Sequence, residues 1–344
     1  MRFAKRVLSM VCAASLIAGC LAGCGSSDSS GSTAANGEGS EDQIVITVGH
    51  TSQTSEPYHL GLLAMQEKLD ELTDGRVKLD IHANSELGGE REMLEAVQAG
   101  NLQMCVAPTA QLSNFDESFK VFDLPYLFQS REHAYKVWDS DIGTQIAETL
   151  PQKNMRLLTY YEAGVRHLMT TKTAVNSMDD LKGLKVRTVE NEIHIAAWKA
   201  FGANPTPMAY NELYTGLEQG TVDGAEAANV NYYTQAFYEV SKNWATIGWL
   251  IMGCGLVVNE EWFSGLDEET QQAITEAAVY SATVERDDYK QLDDECYQKL
   301  VDAGVNITEP DAEPFKQAAQ TVWEEYADEV GGMDLINSIE DMAQ

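Results

Sequence analysis

The strongest constraint on this chain is an alternation of two hydrophobic periods between residues 44 and 107. Ile44, Ile46 and Val48 recur at every second position, the spacing of a strand. From Pro57 onward, Leu62, Met65, Leu69 and Leu72 share one helical stripe that stops at Asp74-Gly75. Val77, Leu79 and Ile81 then alternate with Lys78, Asp80 and His82, which predicts a half-exposed strand. Met93, Leu94 and Val97 mark a short helix ended by Gly100, and residues 102–107 form a buried strand. Parallel strands need helical crossovers, so this β-α-β-α-β order predicts a mostly parallel, doubly wound α/β sheet.

The pattern restarts further on. Residues 157–161, 184–189, 222–225 and 254–258 read as strands, and 191–201 and 210–219 as helices. Two sheets, each with its own helices, predict two lobes, one over about 43–160 with later crossover segments and one over about 161–255. Asp267 caps a helical run to Ala303-Gly304, with Leu292, Cys296 and Leu300 on one face. At about 1.5 Å per residue that helix is long enough to span both lobes. A further helix is expected near 312–329.

The first 23 residues read differently. Arg2, Lys5 and Arg6 precede an uncharged apolar stretch from Val7 to Gly23, the pattern of an export signal. About 17 residues fall short of the roughly 20 that span a bilayer. The stretch ends in Leu21-Ala22-Gly23-Cys24, which resembles the lipobox of bacterial lipoproteins and implies cleavage before Cys24 and a lipid on its thiol. Ile17-Ala18-Gly19-Cys20 is a weaker copy. Residues 24–42 are rich in Gly and Ser, too polar to fold, and read as a flexible tether. The expected address is therefore extracytoplasmic, on the outer face of a membrane. Cys105, Cys254 and Cys296 show no Cys-x-x-Cys spacing and read as buried free thiols.

Charge narrows the partners. With 23 Lys+Arg against 54 Asp+Glu, the formal charge is -31. Losing residues 1–23 would remove three basic residues and leave -34. Nucleic acid is excluded, because phosphate backbones need a basic footprint. The chain holds no Gly-x-Ser-x-Gly elbow, Walker loop, Gly-x-Gly-x-x-Gly after a strand, or His-Glu-x-x-His, and its six histidines are scattered. No enzyme activity, metal or cofactor is expected.

The informative segment runs from Gly164-Val165-Arg166 through Lys182-Gly183-Leu184-Lys185-Val186-Arg187, Pro205-Thr206-Pro207-Met208 and Glu212-Leu213-Tyr214 to Val222-Asp223-Gly224-Ala225-Glu226. Together with Leu87-Gly88-Gly89-Glu90-Arg91 and Leu124-Pro125-Tyr126-Leu127-Phe128, it resembles the solute-binding proteins of tripartite ATP-independent periplasmic (TRAP) transporters. The resemblance implies a two-lobed periplasmic-binding-protein-like fold (type II-like) that closes over an organic acid and hands it to membrane subunits, acting as a monomer. It implies that Arg187 pairs with the ligand carboxylate, that Arg166 assists, and that Tyr210 lies beside the ligand. It sets Glu226 at a polar position whose following asparagine is missing here, with Asn229 as a substitute. In the first lobe it points to Thr51 and Glu90.

Guanidinium suits that role, being planar, always charged and able to donate two parallel hydrogen bonds to a carboxylate. From position alone Arg187 fits a surface salt bridge equally well. Glu226 and Glu90 repel a second carboxylate but accept hydrogen bonds from hydroxyls, which favours a sugar acid such as a hexuronate. A C4-dicarboxylate, sialic acid or a keto acid is the alternative ligand, and an ABC-type binding protein or a histidine-kinase accessory the alternative class.

Overall fold

The computed structural model of the protein describes residues 43–343. The expected export signal, Cys24 and the expected tether lie outside them. Nine strands form one sheet: β1 (Ile44–Gly49), β2 (Val77–His82), β3 (Met104–Pro108), β4 (Met155–Thr170), β5 (Lys185–Thr188), β6 (Asn204–Pro207), β7 (Gly224–Ala227), β8 (Asn243–Asn259) and β9 (Asn306–Thr308). Their order is β2-β1-β3-β8-β4-β7-β5-β6, with β9 beside β8.

Each half keeps the expected parallel set. β2, β1 and β3 are mutually parallel on one side, and β7, β5 and β6 on the other. The crossover stripe behaves as its period requires: Leu62, Met65 and Leu69 on the helix Pro57–Thr73 are fully buried. Two strands are much longer than expected. β4 and β8 run antiparallel through both halves and join the two expected sheets into one mixed sheet.

The join is narrow. β3 pairs with β8 only from Cys254 to Val258, and β7 pairs with β4 only from His167 to Thr170. Between them, residues 162–166 of β4 and 250–253 of β8 pair with nothing but each other. The register shifts between Glu162 and Gly164 and again between Arg166 and Leu168, so this two-stranded neck is bulged at both ends.

The long helix runs Glu268–Asp302, capped by Asp267, whose Oδ1 accepts from the Thr270 N–H at 2.9 Å. It packs on the helix Pro57–Thr73 of one half, on β4, and on the helix Asn229–Thr234 of the other. Cys105, Cys254 and Cys296 are buried free thiols, as expected. Among the described residues, no helix is long and apolar enough to cross a membrane.

Candidate functional site

The ends of β1, β5 and β6 and the neck converge on one cavity, the place where open α/β sheets bind ligands. Thr51, Glu90, Arg166, Arg187 and Tyr210, all named from sequence, line it. Ser52, Glu56, Tyr58, Asn231, Met252 and Tyr289 complete the wall.

Local sequence explains how each arrives. Gly164 has φ +88°, and a Cβ there would come within 2.5 Å of the Tyr289 hydroxyl and of the Ala228 Cβ. Only glycine lets the bulged neck pass this close to the long helix, which sets the position of Arg166 two residues on. Gly88, at φ +105°, turns the chain into the helix Glu90–Gln98, so that Glu90 is its first residue. Arg187 is the penultimate residue of β5, beside the Ala225 position of β7.

The electrostatic centre is a triad of buried charges. Glu226 lies between the two arginines, accepting from Arg166 Nε at 2.5 Å and from Arg187 Nη1 at 3.2 Å. Burial alone would raise the Glu226 carboxyl, but the two guanidiniums hold it below the usual carboxylate range. Burial lowers Arg187, whereas the nearer Glu226 contact raises Arg166 despite its burial. Both guanidiniums nonetheless stay charged. The triad therefore carries one net positive charge.

The arginines differ in what they have left to offer. Arg166 commits Nε and Nη2 to Glu226 and Nη1 to the Ala163 carbonyl at 2.9 Å. Arg187 commits Nε to the Met208 carbonyl at 2.9 Å and Nη1 to Glu226, while Nη2 makes no hydrogen bond among the described residues. Arg187 thus keeps one nitrogen without a hydrogen bond among the described residues, with its guanidinium 5.9 Å from the centre of the Tyr210 ring.

The rest of the wall is rich in acceptors. Glu90 accepts from the Thr51 hydroxyl at 3.2 Å and takes part in no ion pair among the described residues, and burial raises it against the pull of Arg187 and Arg166. Glu56, a residue the sequence reading missed, is raised by burial against hydrogen bonds from its neighbours. Its one sequence signal is its place directly before the helix-opening Pro57, within reach of the end of β1.

Two of the residues named from sequence lie outside the cavity lining. Asn229 does not face the cavity: its Oδ1 accepts from Trp244 Nε1 at 3.0 Å and its Nδ2 donates to Asp293 at 3.2 Å. The first turn of the helix Asn229–Thr234 turns it into the core and presents Asn231 instead. Glu226 does not line the cavity either, because both arginines stand in front of it. Its carboxylate holds both guanidiniums.

The space between these groups is about 30 Å³. A groove of about 820 Å³ opens elsewhere, beside Tyr126, Arg131, Lys290 and Trp323, but Arg131 already holds Glu162 and Asp293, and Lys290 holds Glu132. The smaller cavity is lined by a buried guanidinium, that of Arg187, whose Nη2 has no hydrogen bond among the described residues.

Residues 48–329 match the family model described as bacterial extracellular solute-binding protein, family 7. The chain belongs to that family. The TRAP resemblance drawn from the motifs holds for the family and for the fold. Among its relatives, the 2,3-diketo-L-gulonate-binding periplasmic protein YiaO of Escherichia coli (strain K12) is 31% identical over 241 residues, covering 70% of this chain and 74% of that one. Among solved structures, the sugar acid binding protein from Advenella mimigardefordensis in complex with galactonate has a TM-score of 0.85 at 26% identity, covering 88% of this chain and 98% of that one. A TRAP periplasmic solute binding protein from Anaerococcus prevotii with bound D-glucuronate has a TM-score of 0.84 at 29% identity, covering 87% and 98%.

Proposed function

We propose that this family 7 protein is the extracytoplasmic receptor of a TRAP transporter and that it binds a polyhydroxylated monocarboxylate, with a hexuronate favoured, delivering it to the transporter's membrane subunits. One observation carries the reading: two buried guanidiniums share a single internal carboxylate, leaving one net positive charge and a free Arg187 Nη2 at the cavity. That balance suits one carboxylate. Glu90 and Glu56 are acceptors suited to hydroxyls, and a second carboxylate would meet no free cation there. The galactonate and D-glucuronate complexes of its structural relatives support the same class.

The cavity of about 30 Å³ is far below the roughly 300 Å³ at the small end of ligand pockets, so a sugar acid requires an opening motion. The two-stranded neck is suited to serve as its hinge, with lobes over about 43–160 and 161–255 moving about it. The protein binds and releases its ligand unchanged, as a monomer held to the membrane by lipid at Cys24.

A titration panel tests the reading. D-glucuronate, D-galacturonate and galactonate are expected to bind at least tenfold tighter than succinate or malate. Equal or tighter binding of the dicarboxylates would overturn the substrate class.

A further inference from the structure

Between residues 162 and 166, β4 has β8 on one edge and no strand on the other. Glu162 and Ala163 are buried there against the long helix, so backbone groups on that open edge must find side-chain partners. They find two. The Ala163 carbonyl accepts from Arg166 Nη1 at 2.9 Å, and the Glu162 N–H donates to Glu285 Oε2 at 2.9 Å.

Glu285 comes from the middle of the helix Glu268–Asp302 and is 0% exposed. It forms no ion pair among the described residues, because Arg286 beside it gives its guanidinium to Asp139 and to the Tyr160 carbonyl. Burial therefore pushes the Glu285 carboxyl far up, and it accepts as a neutral acid. Space for it is left by Gly61 on the helix Pro57–Thr73, where a Cβ would come within 2.9 Å of the Glu285 Cβ and 3.3 Å of the Tyr161 ring. The long helix holds the same residue of the neck a second time: Arg131 donates to Asp293 at 2.9 Å and to the Glu162 carboxylate at 2.6 Å.

We propose that Glu285 is a positioning residue for ligand binding: by taking the Glu162 N–H on the open edge of the neck, it fixes the bulge that aims Arg166 at Glu226 and, through Glu226, sets Arg187. This rests on the reading of the cavity as the sugar-acid site, which Glu285 itself does not line. Without that acceptor the neck relaxes in the unliganded protein, and binding must restore it.

The test combines calorimetric titration of D-glucuronate with amide hydrogen exchange. Glu285→Leu fills a similar space without an acceptor. It is expected to weaken D-glucuronate about tenfold, within the cost of a buried donor left unpaired, and to speed exchange at residues 162–166 more than in β2. Gly61→Ala presses on Glu285 without altering it and should act in the same direction by a smaller factor. Glu285→Gln supplies a neutral acceptor and should bring affinity and exchange back to within about threefold of the wild type. Ser281→Ala removes a 2.6 Å bond from the same helix to the Tyr161 hydroxyl, and should lower the melting point while leaving affinity within about threefold. Wild-type exchange at residues 162–166 in both Glu285→Leu and Gly61→Ala overturns the proposal. So does a loss of affinity in Glu285→Gln or Ser281→Ala as large as in Glu285→Leu. A wild type that binds no sugar acid overturns the receptor reading, and the exchange arm still decides whether Glu285 fixes the neck.

Discussion

Truncating Arg187 to alanine removes the buried guanidinium at the cavity whose Nη2 has no hydrogen bond among the described residues, and its cost follows from the contacts it makes. Arg187 is 1% exposed and bonded to the Met208 carbonyl and to Glu226, so the guanidinium is fixed before a ligand arrives. Removing one partner of a buried, hydrogen-bonded charge pair costs about 2–5 kcal/mol. At about 1.4 kcal/mol per tenfold, Arg187→Ala should weaken D-glucuronate by roughly thirtyfold to a few thousandfold. The charge count agrees: without Arg187 the triad falls from one net positive charge to none. Arg187→Lys keeps the charge but not the planar fork, and should fall between the two. Calorimetric titration gives the affinities, and thermal melting separates binding from folding. Glu226 keeps its 2.5 Å bond to Arg166, so the unliganded variant should melt only moderately lower. The ligand-induced rise, about 2.7 kcal/mol of stabilisation at a hundredfold excess over Kd, should fall to about 1 kcal/mol or less at the same ligand concentration. An affinity within threefold of the wild type in Arg187→Ala would refute the reasoning.

Four further outcomes are expected. Glu226→Gln strands two buried guanidiniums at a cost of about 3–5 kcal/mol, so the unliganded protein should melt lower while the ligand-induced rise exceeds that of the wild type; an unchanged unliganded melting point would count against the triad. His50 is fully buried and pushed from 6.5 down to about 4 by burial and by His59. The unfolded chain therefore binds more protons between those values, and wild-type stability relative to His50→Gln should fall by about 3 kcal/mol as pH drops from 6.5 to 4, read from denaturant midpoints. Gly164→Ala forces a Cβ onto the Tyr289 hydroxyl at positive φ and should cost about 2 kcal/mol or more, with weaker ligand binding; a neutral midpoint would contradict the close approach at the neck. Because the chain carries a charge of -31, added salt should leave anion association unchanged or faster in stopped flow, and a slowing would contradict this.

Much of this was legible in the sequence, and the misses have physical causes. Period-2 and helical stripes located β1, β2, β3 and the helices Pro57–Thr73 and Glu268–Asp302, because each buries one regular face. β4 escaped past Tyr161, since the neck places Glu162, Gly164, Arg166 and His167 in the middle of a strand and two bulges break its alternation. β8 was cut short for the same reason, with Gly248, Gly253 and Gly255 interrupting an otherwise apolar run. The two expected sheets thus have a continuous join that alternation alone cannot reveal. In the site, motif position brought out the arginines, Tyr210, Thr51 and Glu90. It could not tell that Glu226 stands behind the arginines, or that one helical turn directs Asn231 rather than Asn229 into the cavity. Glu56 carried no motif, and the partners that hold it lie about 180 residues away.

The most direct test of the central claim is a crystal structure with bound D-glucuronate. The account predicts the sugar carboxylate within hydrogen-bond distance of Arg187 Nη2, enclosed between the halves with its hydroxyls toward Glu90 and Glu56. A ligand bound in the groove beside Tyr126 and Trp323, or one whose carboxylate faces away from Arg187, would contradict it.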